Sequence, residues 1–112
     1  MDILSKRLLD LIANRFKLLA SPTRLDILQH ICDGEKPVGK LVELTGHKQA
    51  NVSRHLGLLD RAGVVTRRVE GNHVYYGLAD ESLPRLCEVI RGSIQEHHAS
   101  LTAVVTEEDE AE

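Results

Sequence analysis

The sequence has little of what several protein classes depend on. Aromatic residues make up only 3% of the 112 residues, and tryptophan is absent, which argues against a stacking platform for single-stranded nucleic acid. The apolar runs are a few residues long, far short of the roughly 20 that a bilayer-spanning helix needs. Two cysteines are too few for a disulfide scaffold, and the first residues lack the basic-then-apolar order of a signal peptide. We therefore expect reduced thiols and a cytoplasmic location.

Charge is unevenly distributed along the chain. The net charge is −3, but residues 106–112 hold five of the 17 acids and no base, so the rest carries 14 basic against 12 acidic side chains. Residues 48–73 hold five Lys or Arg against two acids. A solvated face is the common interpretation of such charge alone, and a polyanionic partner is the other. We expect one domain over residues 1–101 and a disordered acidic tail over residues 102–112.

Apolar periodicity and turn residues predict a mainly α fold with one β-hairpin, in the order α-α-α-α-β-β-α. The predicted elements are helices over residues 3–19 and 22–33, a short helix between Pro37 and Gly46, a helix over 48–62, strands over 64–69 and 73–78, and a helix over 82–101. The first helix carries two apolar stripes, which together are wide enough to contact both the core and a second chain.

The third and fourth predicted helices, joined by a tight turn, match a helix-turn-helix. If Val52, Leu56 and Leu59 face the core, the helical period turns a set of small and polar residues outward. This outward set, with its N-terminal flank, is Lys48, Gln49, Ala50, Asn51, Ser53, Arg54, Gly57 and Arg61. Gln and Asn can pair with adenine, and Arg with guanine, in the major groove, where a recognition helix presents its N-terminal end. An ordinary solvent-facing helix explains these residues equally well.

The hairpin favours the DNA-binding interpretation. Arg67 and Arg68 lie on its first strand, Asn72 lies in its turn, and His73 begins its second strand. A basic hairpin after a helix-turn-helix is typical of winged-helix proteins, in which the wing contacts phosphates or the minor groove. We predict a winged helix-turn-helix that binds double-stranded DNA through residues 37–78.

The ordered motifs resemble those of the ArsR/SmtB family of winged-helix transcriptional regulators. The resemblance spans residues 16–97, and its main carriers are residues 19–28 (LASPTRLDIL), 38–41 (VGKL), 49–56 (QANVSRHL), 62–65 (AGVV) and 74–76 (VYY). It implies a homodimer built through the first and last helices, bound to an inverted-repeat operator. It also implies a repressor that is released by a metal, a metalloid or a reactive sulfur or oxygen species. The family usually has a capping Ser at the position of Lys48 and often has a basic residue at that of Asn72.

The sensor positions of the family are incomplete in this chain. The thiolate site of the third helix corresponds to residues 35–39, which read EKPVG. The metal site of the last helix corresponds to Asp80, Ser82, Ser93 and Glu96, which offer two carboxylates and no imidazole for Zn²⁺ or Ni²⁺. The persulfide-sensing cysteines correspond to Gln29 and Gln95. No cofactor is predicted with certainty, and Asp80, Glu96 and His97 remain the candidate metal ligands.

Cys32 and Cys87 allow two interpretations. They could form a redox sensor pair, or bind a soft metal together with His30. Each also lies on an apolar stripe, where a free cysteine commonly acts as a small core residue. Core packing is the interpretation that we favour.

Three functions compete on these observations. The leading one is a sequence-specific, double-stranded DNA-binding repressor that an inducer releases. The alternative is a winged-helix protein–protein interaction module without operator binding, against which the basic residues 48–73 argue. An enzyme has the least support, because no nucleophile–base pair, phosphate-binding glycine loop or paired catalytic carboxylates stand at a recognisable spacing.

Overall fold

The structure, a computed structural model, describes residues 2–98. Within them the elements are α1 (Lys6–Leu19), α2 (Pro22–Ile31), β1 (Lys36–Pro37), α3 (Val38–Thr45), α4 (Gln49–Arg61), β2 (Val65–Glu70), β3 (His73–Leu78) and α5 (Ser82–His97). The chain divides into two compact units, the first ending at Asp80 and the second starting at Glu81. The predicted order of helices and hairpin strands is confirmed, and β1 is an addition to it. The predicted tail and residues 99–101 of the last helix lie outside the described residues.

Local capping explains where the first two helices begin and end. The Ser5 Oγ accepts a hydrogen bond from the Leu8 N–H at 3.2 Å, so α1 starts at Lys6 rather than at the predicted residue 3. Ser21 caps α2 in the same way, as expected. α2 ends two residues earlier than predicted, because the chain turns there and the Lys36 ammonium donates to the His30 carbonyl in its last turn.

The core of the first unit combines apolar residues from four helices and the start of β2. Its buried members are Leu19, Ile27, Leu28, Ile31, Leu41, Val52, Leu56, Leu59, Val64 and Val65. Val52, Leu56 and Leu59 are fully buried, which confirms the predicted inward face of α4. Burying a side chain of this size contributes about 1.5 to 3 kcal/mol, so these three residues determine the rotation of α4 about its axis.

The three strands form an antiparallel sheet in the order β1-β3-β2. β2 and β3 pair along their full length and are joined by Gly71 and Asn72. Gly71 has φ of +60°, as the first position of a type II′ hairpin turn requires. β1 has only two residues, too few for a periodic pattern to predict it.

Two helices expose large apolar side chains. On α1, Leu8, Leu9, Leu11 and Phe16 are between 42% and 58% exposed. On α5, in the second unit, Val89, Ile90 and Ile94 are exposed. Contiguous apolar surface of this kind marks sites of association. No helix among residues 2–98 is long and apolar enough to cross a membrane.

Candidate DNA-binding surface

α4 presents polar side chains on an open face. Gln49, Asn51 and Arg54 are exposed, and none of them takes part in the side-chain hydrogen bonds or ion pairs of the described residues. Ala50 and Ser53 are exposed beside them, and their small side chains leave room for close approach. The predicted outward face of α4 is therefore in place, with its hydrogen-bonding groups available to a ligand.

The N-terminus of α4 has no side-chain cap. Lys48 is the N-cap residue, with an extended backbone, and its side chain makes no capping hydrogen bond. The first N–H groups of a helix have no partner within the helix, and they lie at the positive end of its dipole. Together with the exposed Lys48 ammonium, they make this end of α4 suited to a phosphate.

The hairpin turns Arg67 and Arg68 to opposite sides. Side chains alternate along a strand, so Arg67 shares a face with Val65, and Arg68 shares the other face with Thr66. Val65 is only 4% exposed, whereas Thr66 is exposed. Arg67 therefore lies on the side of the sheet that packs on the helices, and Arg68 lies on the opposite side.

Two carboxylates bind Arg68. Its Nε donates to both carboxylate oxygens of Glu35, at 3.1 and 3.3 Å, and its Nη1 donates to Glu70. The guanidinium also stands 4.6 Å from the ring centroid of Tyr75. The hydrogen bonds to Glu70 and Glu35 raise the pKa of Arg68, and the bond from Arg68 lowers the pKa of Glu70. A phosphate contact by Arg68 stays a prediction, and its charge is already compensated within the chain.

Gly77 provides the space through which Glu35 reaches the hairpin. A Cβ at Gly77 would stand 2.9 Å from the Thr66 Oγ1 and 3.1 Å from the Glu35 Cγ. Glu35 precedes β1, whose residues pair with β3. Glu35 could not be predicted as a partner of Arg68, because 33 positions separate the two residues and the unpredicted strand β1 brings them together.

Comparisons with known proteins identify the family. A family model described as bacterial regulatory protein, arsR family, matches residues 21–67. Over 88 residues the chain is 39% identical to the HTH-type transcriptional regulator Rv0081 of Mycobacterium tuberculosis, covering 78% of this chain and 77% of that protein. The chain belongs to the arsR family of bacterial regulatory proteins.

Solved structures agree with this assignment. The crystal structure of M. tuberculosis Rv0081 superposes with a TM-score of 0.76 at 34% identity, over 88% of this chain and 99% of that chain. The solution structure of the homodimeric winged helix-turn-helix DNA-binding domain of Mb0332 from Mycobacterium bovis gives a TM-score of 0.70 at 35% identity, over 88% and 94%. This arsR-family chain is thus a winged helix-turn-helix, DNA-binding transcriptional regulator.

Arg24 links α2 to the middle of α4. Its Nε donates to the His55 Nδ1 at 3.2 Å, and its Nη1 donates to the Leu18 carbonyl at the end of α1, at 3.0 Å. Burial lowers the pKa of His55, and the nearby charges of Arg54, Arg24 and His47 lower it further. Arg24 and His55 lie in the family motifs, but their pairing was not predicted, because a contact between side chains 31 positions apart leaves no periodic pattern in the sequence.

A second link joins α2 to the turn before α4. The His47 Nε2 stands 3.4 Å from the Asp26 Oδ2, and the His30 Nε2 stands 3.4 Å from the Asp26 Oδ1. The Gln29 amide also donates to the Asp26 Oδ1, at 2.7 Å. Asp26 thus accepts from its own helix and pairs with the helix-turn-helix turn.

The candidate metal ligands lie in different units, Asp80 in the first and Glu96 and His97 in the second. Asp80 forms an ion pair with Arg15 at 2.9 Å, while Glu96 and His97 lie in the last turn of α5. Within residues 2–98, no group of three or more His, Cys, Asp or Glu side chains is arranged to hold a metal ion. A soft-metal site of His30 with both cysteines stays a prediction.

The prediction that the two cysteines pack in the core is wrong. Cys32 and Cys87 are both exposed. Cys32 falls just beyond α2, as its C-cap residue, because the helix ends earlier than predicted, and its Sγ lies 3.0 Å from the Gln29 carbonyl. A redox role for the two thiols stays a prediction.

Proposed function

We propose that this arsR-family regulator is an operator-binding repressor whose α4 reads the major groove of an inverted-repeat DNA site. The observation that carries the proposal is the open face of α4, where exposed Gln49, Asn51 and Arg54 stand beside an uncapped helix N-terminus. These side chains have the donors and acceptors that base edges require, and no side-chain hydrogen bond or ion pair within residues 2–98 engages them.

Each group on α4 has a distinct proposed role. Arg54 donates two hydrogen bonds to guanine, and Gln49 and Asn51 pair with adenine. Ala50 and Ser53 let the helix approach the groove closely. Lys48 and the first N–H groups of the helix bind a backbone phosphate, which holds the register without selecting a sequence.

The hairpin supplies the flanking contacts. Arg67 lies on the side of the sheet that packs on the helices and contacts a phosphate beside the recognised bases. Asn72 and His73 lie at the hairpin tip and contact DNA near the minor groove. We assign Arg68 the role of bracing the hairpin, since Glu35 and Glu70 already bind it.

The proposed active form is a homodimer through α1 and α5. Both helices expose apolar side chains that a second copy would cover, and the similar domain of Mb0332 is homodimeric. A two-fold dimer presents two copies of α4 about one DNA turn apart, which is the spacing of an inverted repeat.

Release by an inducer completes the proposal. The chain also matches the probable mercury resistance operon repressor of Streptomyces lividans. The match has 38% identity over 81 residues, which cover 62% of that protein. In this chain the exposed thiols of Cys32 and Cys87 are suited to a thiol-reactive species or a soft metal ion. The proposed place of action is the cytoplasm, and no catalytic activity is part of the proposal.

Fluorescence anisotropy with DNA from upstream of the chain's own gene tests the proposal. Arg54→Ala is expected to weaken specific binding by about 1 to 3 kcal/mol and to relax base preference at one position of each half-site. Arg7→Ala removes the same charge from α1, away from α4 and the hairpin, and should bind like the wild type. Equal operator affinity of the Arg54 variant and the wild type would contradict the role of Arg54. Absence of any salt-sensitive binding by the wild type would favour the protein–protein interaction module instead.

A further inference from the structure

We propose that Arg24 is a positioning residue for the recognition helix: it holds α4 through a hydrogen bond to neutral His55, and protonation of His55 releases this hold and weakens operator binding. The inference rests on the proposed function of α4 as the DNA-reading helix. It adds an intrinsic acid response that needs no inducer.

Arg24 is fixed at three points. Its backbone N–H donates to the Ser21 Oγ at 3.3 Å, its Nη1 donates to the Leu18 carbonyl at 3.0 Å, and its Nε donates to the His55 Nδ1 at 3.2 Å. The first contact fixes the backbone of Arg24 at the start of α2, and the second ties its side chain to the end of α1. The third transfers that fixed position to α4.

The contact depends on the protonation state of the imidazole. Nδ1 can accept from Arg24 only when it carries no proton, so neutral His55 must hold its proton on Nε2. Once both nitrogens are protonated, two donors face each other and two cations become neighbours. The hydrogen bond is then replaced by repulsion between α2 and α4.

The surroundings of His55 favour the neutral ring. Burial is the main cause that lowers its pKa, followed by the positive charges of Arg54 on α4, Arg24 on α2 and, when protonated, His47 in the turn. Asp26, on α2, pairs with His47 and His30, and among the described residues no carboxylate is a cause of the shift in the pKa of His55. The neutral ring stabilises the folded arrangement above the ordinary histidine pKa of about 6.5. That stabilisation is lost as the pH falls from there to the lowered pKa.

The direction in which operator affinity changes on acidification distinguishes the contact between Arg24 and His55 from a general electrostatic effect. Acidification adds positive charge to a DNA-binding protein, which strengthens phosphate binding. Only the loss of the contact between Arg24 and His55 predicts weaker binding in acid.

The first test measures operator affinity from pH 8.0 to 5.0 at constant ionic strength, with folding checked by circular dichroism at each pH. Wild-type affinity should fall on the order of fivefold or more across this range. His55→Asn places a non-titrating oxygen near the Nδ1 position, so it should bind like the wild type at pH 8.0 and keep its affinity at pH 5.0. An acid loss of the same size in His55→Asn would overturn the inference.

The second test uses the full-length protein without DNA. Nitrogen-15 NMR of the imidazole should show His55 protonated on Nε2 at pH 7.5, and the amide signals of α4 should shift in step with the titration of His55. Observation of the Nδ1–H form would overturn the inference, as would α4 signals that ignore this titration. These readouts decide the role of Arg24 even if the wild type binds no operator, in which case the proposed function alone fails.

Discussion

Arg67 and Arg68 are neighbours in the chain and carry the same charge, yet they have different surroundings. Arg68 is paired with Glu35 and Glu70, so the three side chains together carry a net charge of −1. Arg67 takes part in none of the ion pairs of the described residues and lies on the other face of the hairpin. A charge count along the sequence treats these two arginines as equal, whereas the pleat of the strand separates them.

The two arginines should therefore differ in their contribution to DNA binding. Arg67→Ala is expected to weaken binding to all duplexes alike and to reduce the salt slope by about one per chain, because one phosphate contact is lost. Arg68→Ala should leave the salt slope close to that of the wild type and change stability little, as the loss of exposed ion pairs does. Anisotropy titrations at several salt concentrations measure both slopes. An equal loss of slope in the two variants would show that Arg68 leaves its carboxylates to bind phosphate.

At the scale of elements, α4 has a well-determined rotation about its axis, but its N-terminus has no side-chain cap. Three fully buried residues, Val52, Leu56 and Leu59, set its rotation. α2 contacts α4 through Arg24 and contacts the turn before it through Asp26. Its N-cap is Lys48, which makes no capping hydrogen bond. Replacement of Lys48 by a residue that caps helices would stabilise α4, but it would also remove a positive charge from the proposed phosphate site.

Substitution at Lys48 should therefore change stability and DNA binding in opposite directions. Lys48→Ser is expected to stabilise the fold by about 0.5 to 1 kcal/mol, because a serine at the N-cap accepts from a free N–H. It should also reduce the salt slope of DNA binding, because a cation is lost. Lys48→Ala removes the same cation without adding a cap, so it should show only the loss of slope. Thermal unfolding at a fixed protein concentration and anisotropy measure the two effects, and lower stability of Lys48→Ser than of Lys48→Ala would contradict the capping argument.

In the hairpin, the fold should be sensitive to any added side chain at Gly77. Gly77→Ala should destabilise the fold by about 1 to 3 kcal/mol, the usual cost of overpacking, because the added Cβ meets Thr66 at 2.9 Å and Glu35 at 3.1 Å. Gly39→Ala, on α3, is the matched control, because nothing lies within 4 Å of an added Cβ there. The control should be neutral or slightly stabilising. A comparison of thermal midpoints tests this, and equal midpoints for the two variants would mean that Glu35 and Thr66 move aside at little cost.

At the scale of the whole molecule, the exposed apolar side chains of α1 and α5 indicate that a second chain covers them in the homodimer. Phe16 is 53% exposed and Leu11 is 58% exposed, which is costly for large apolar groups in water. The same wide apolar surface was visible in the periodicity of residues 3–19, where two stripes cover more than one face. Covering it in a homodimer would also position two recognition helices.

A charge placed on this surface should separate the chains. Phe16→Glu is expected to shift the protein from dimer toward monomer in sedimentation velocity and to weaken operator binding, because a charged group would have to be buried. Asn14→Glu adds the same charge at an exposed polar position of α1 and should remain dimeric. If Phe16→Glu sediments like the wild type, the dimer does not use this part of α1.

Periodicity and turn residues were enough to predict most of the fold and the main face of the site. Helical spacing of Val52, Leu56 and Leu59 located the buried side of α4, and with it the exposed side that we propose faces DNA. Helix ends were less accurate, because a cap such as Ser5 or the turn after Ile31 depends on one or two hydrogen bonds rather than on a repeated pattern.

Contacts between distant segments required the folded chain. Glu35 reaches Arg68 because β1 pairs with β3 over a glycine, and Arg24 reaches His55 because two helices cross. The thiol of Cys32 is exposed because α2 stops before it. Local patterns report backbone propensity and the burial preference of each residue, which repeat along the chain. Pairing of single side chains depends on where the elements meet in space, and that arrangement has no periodic signature in the sequence.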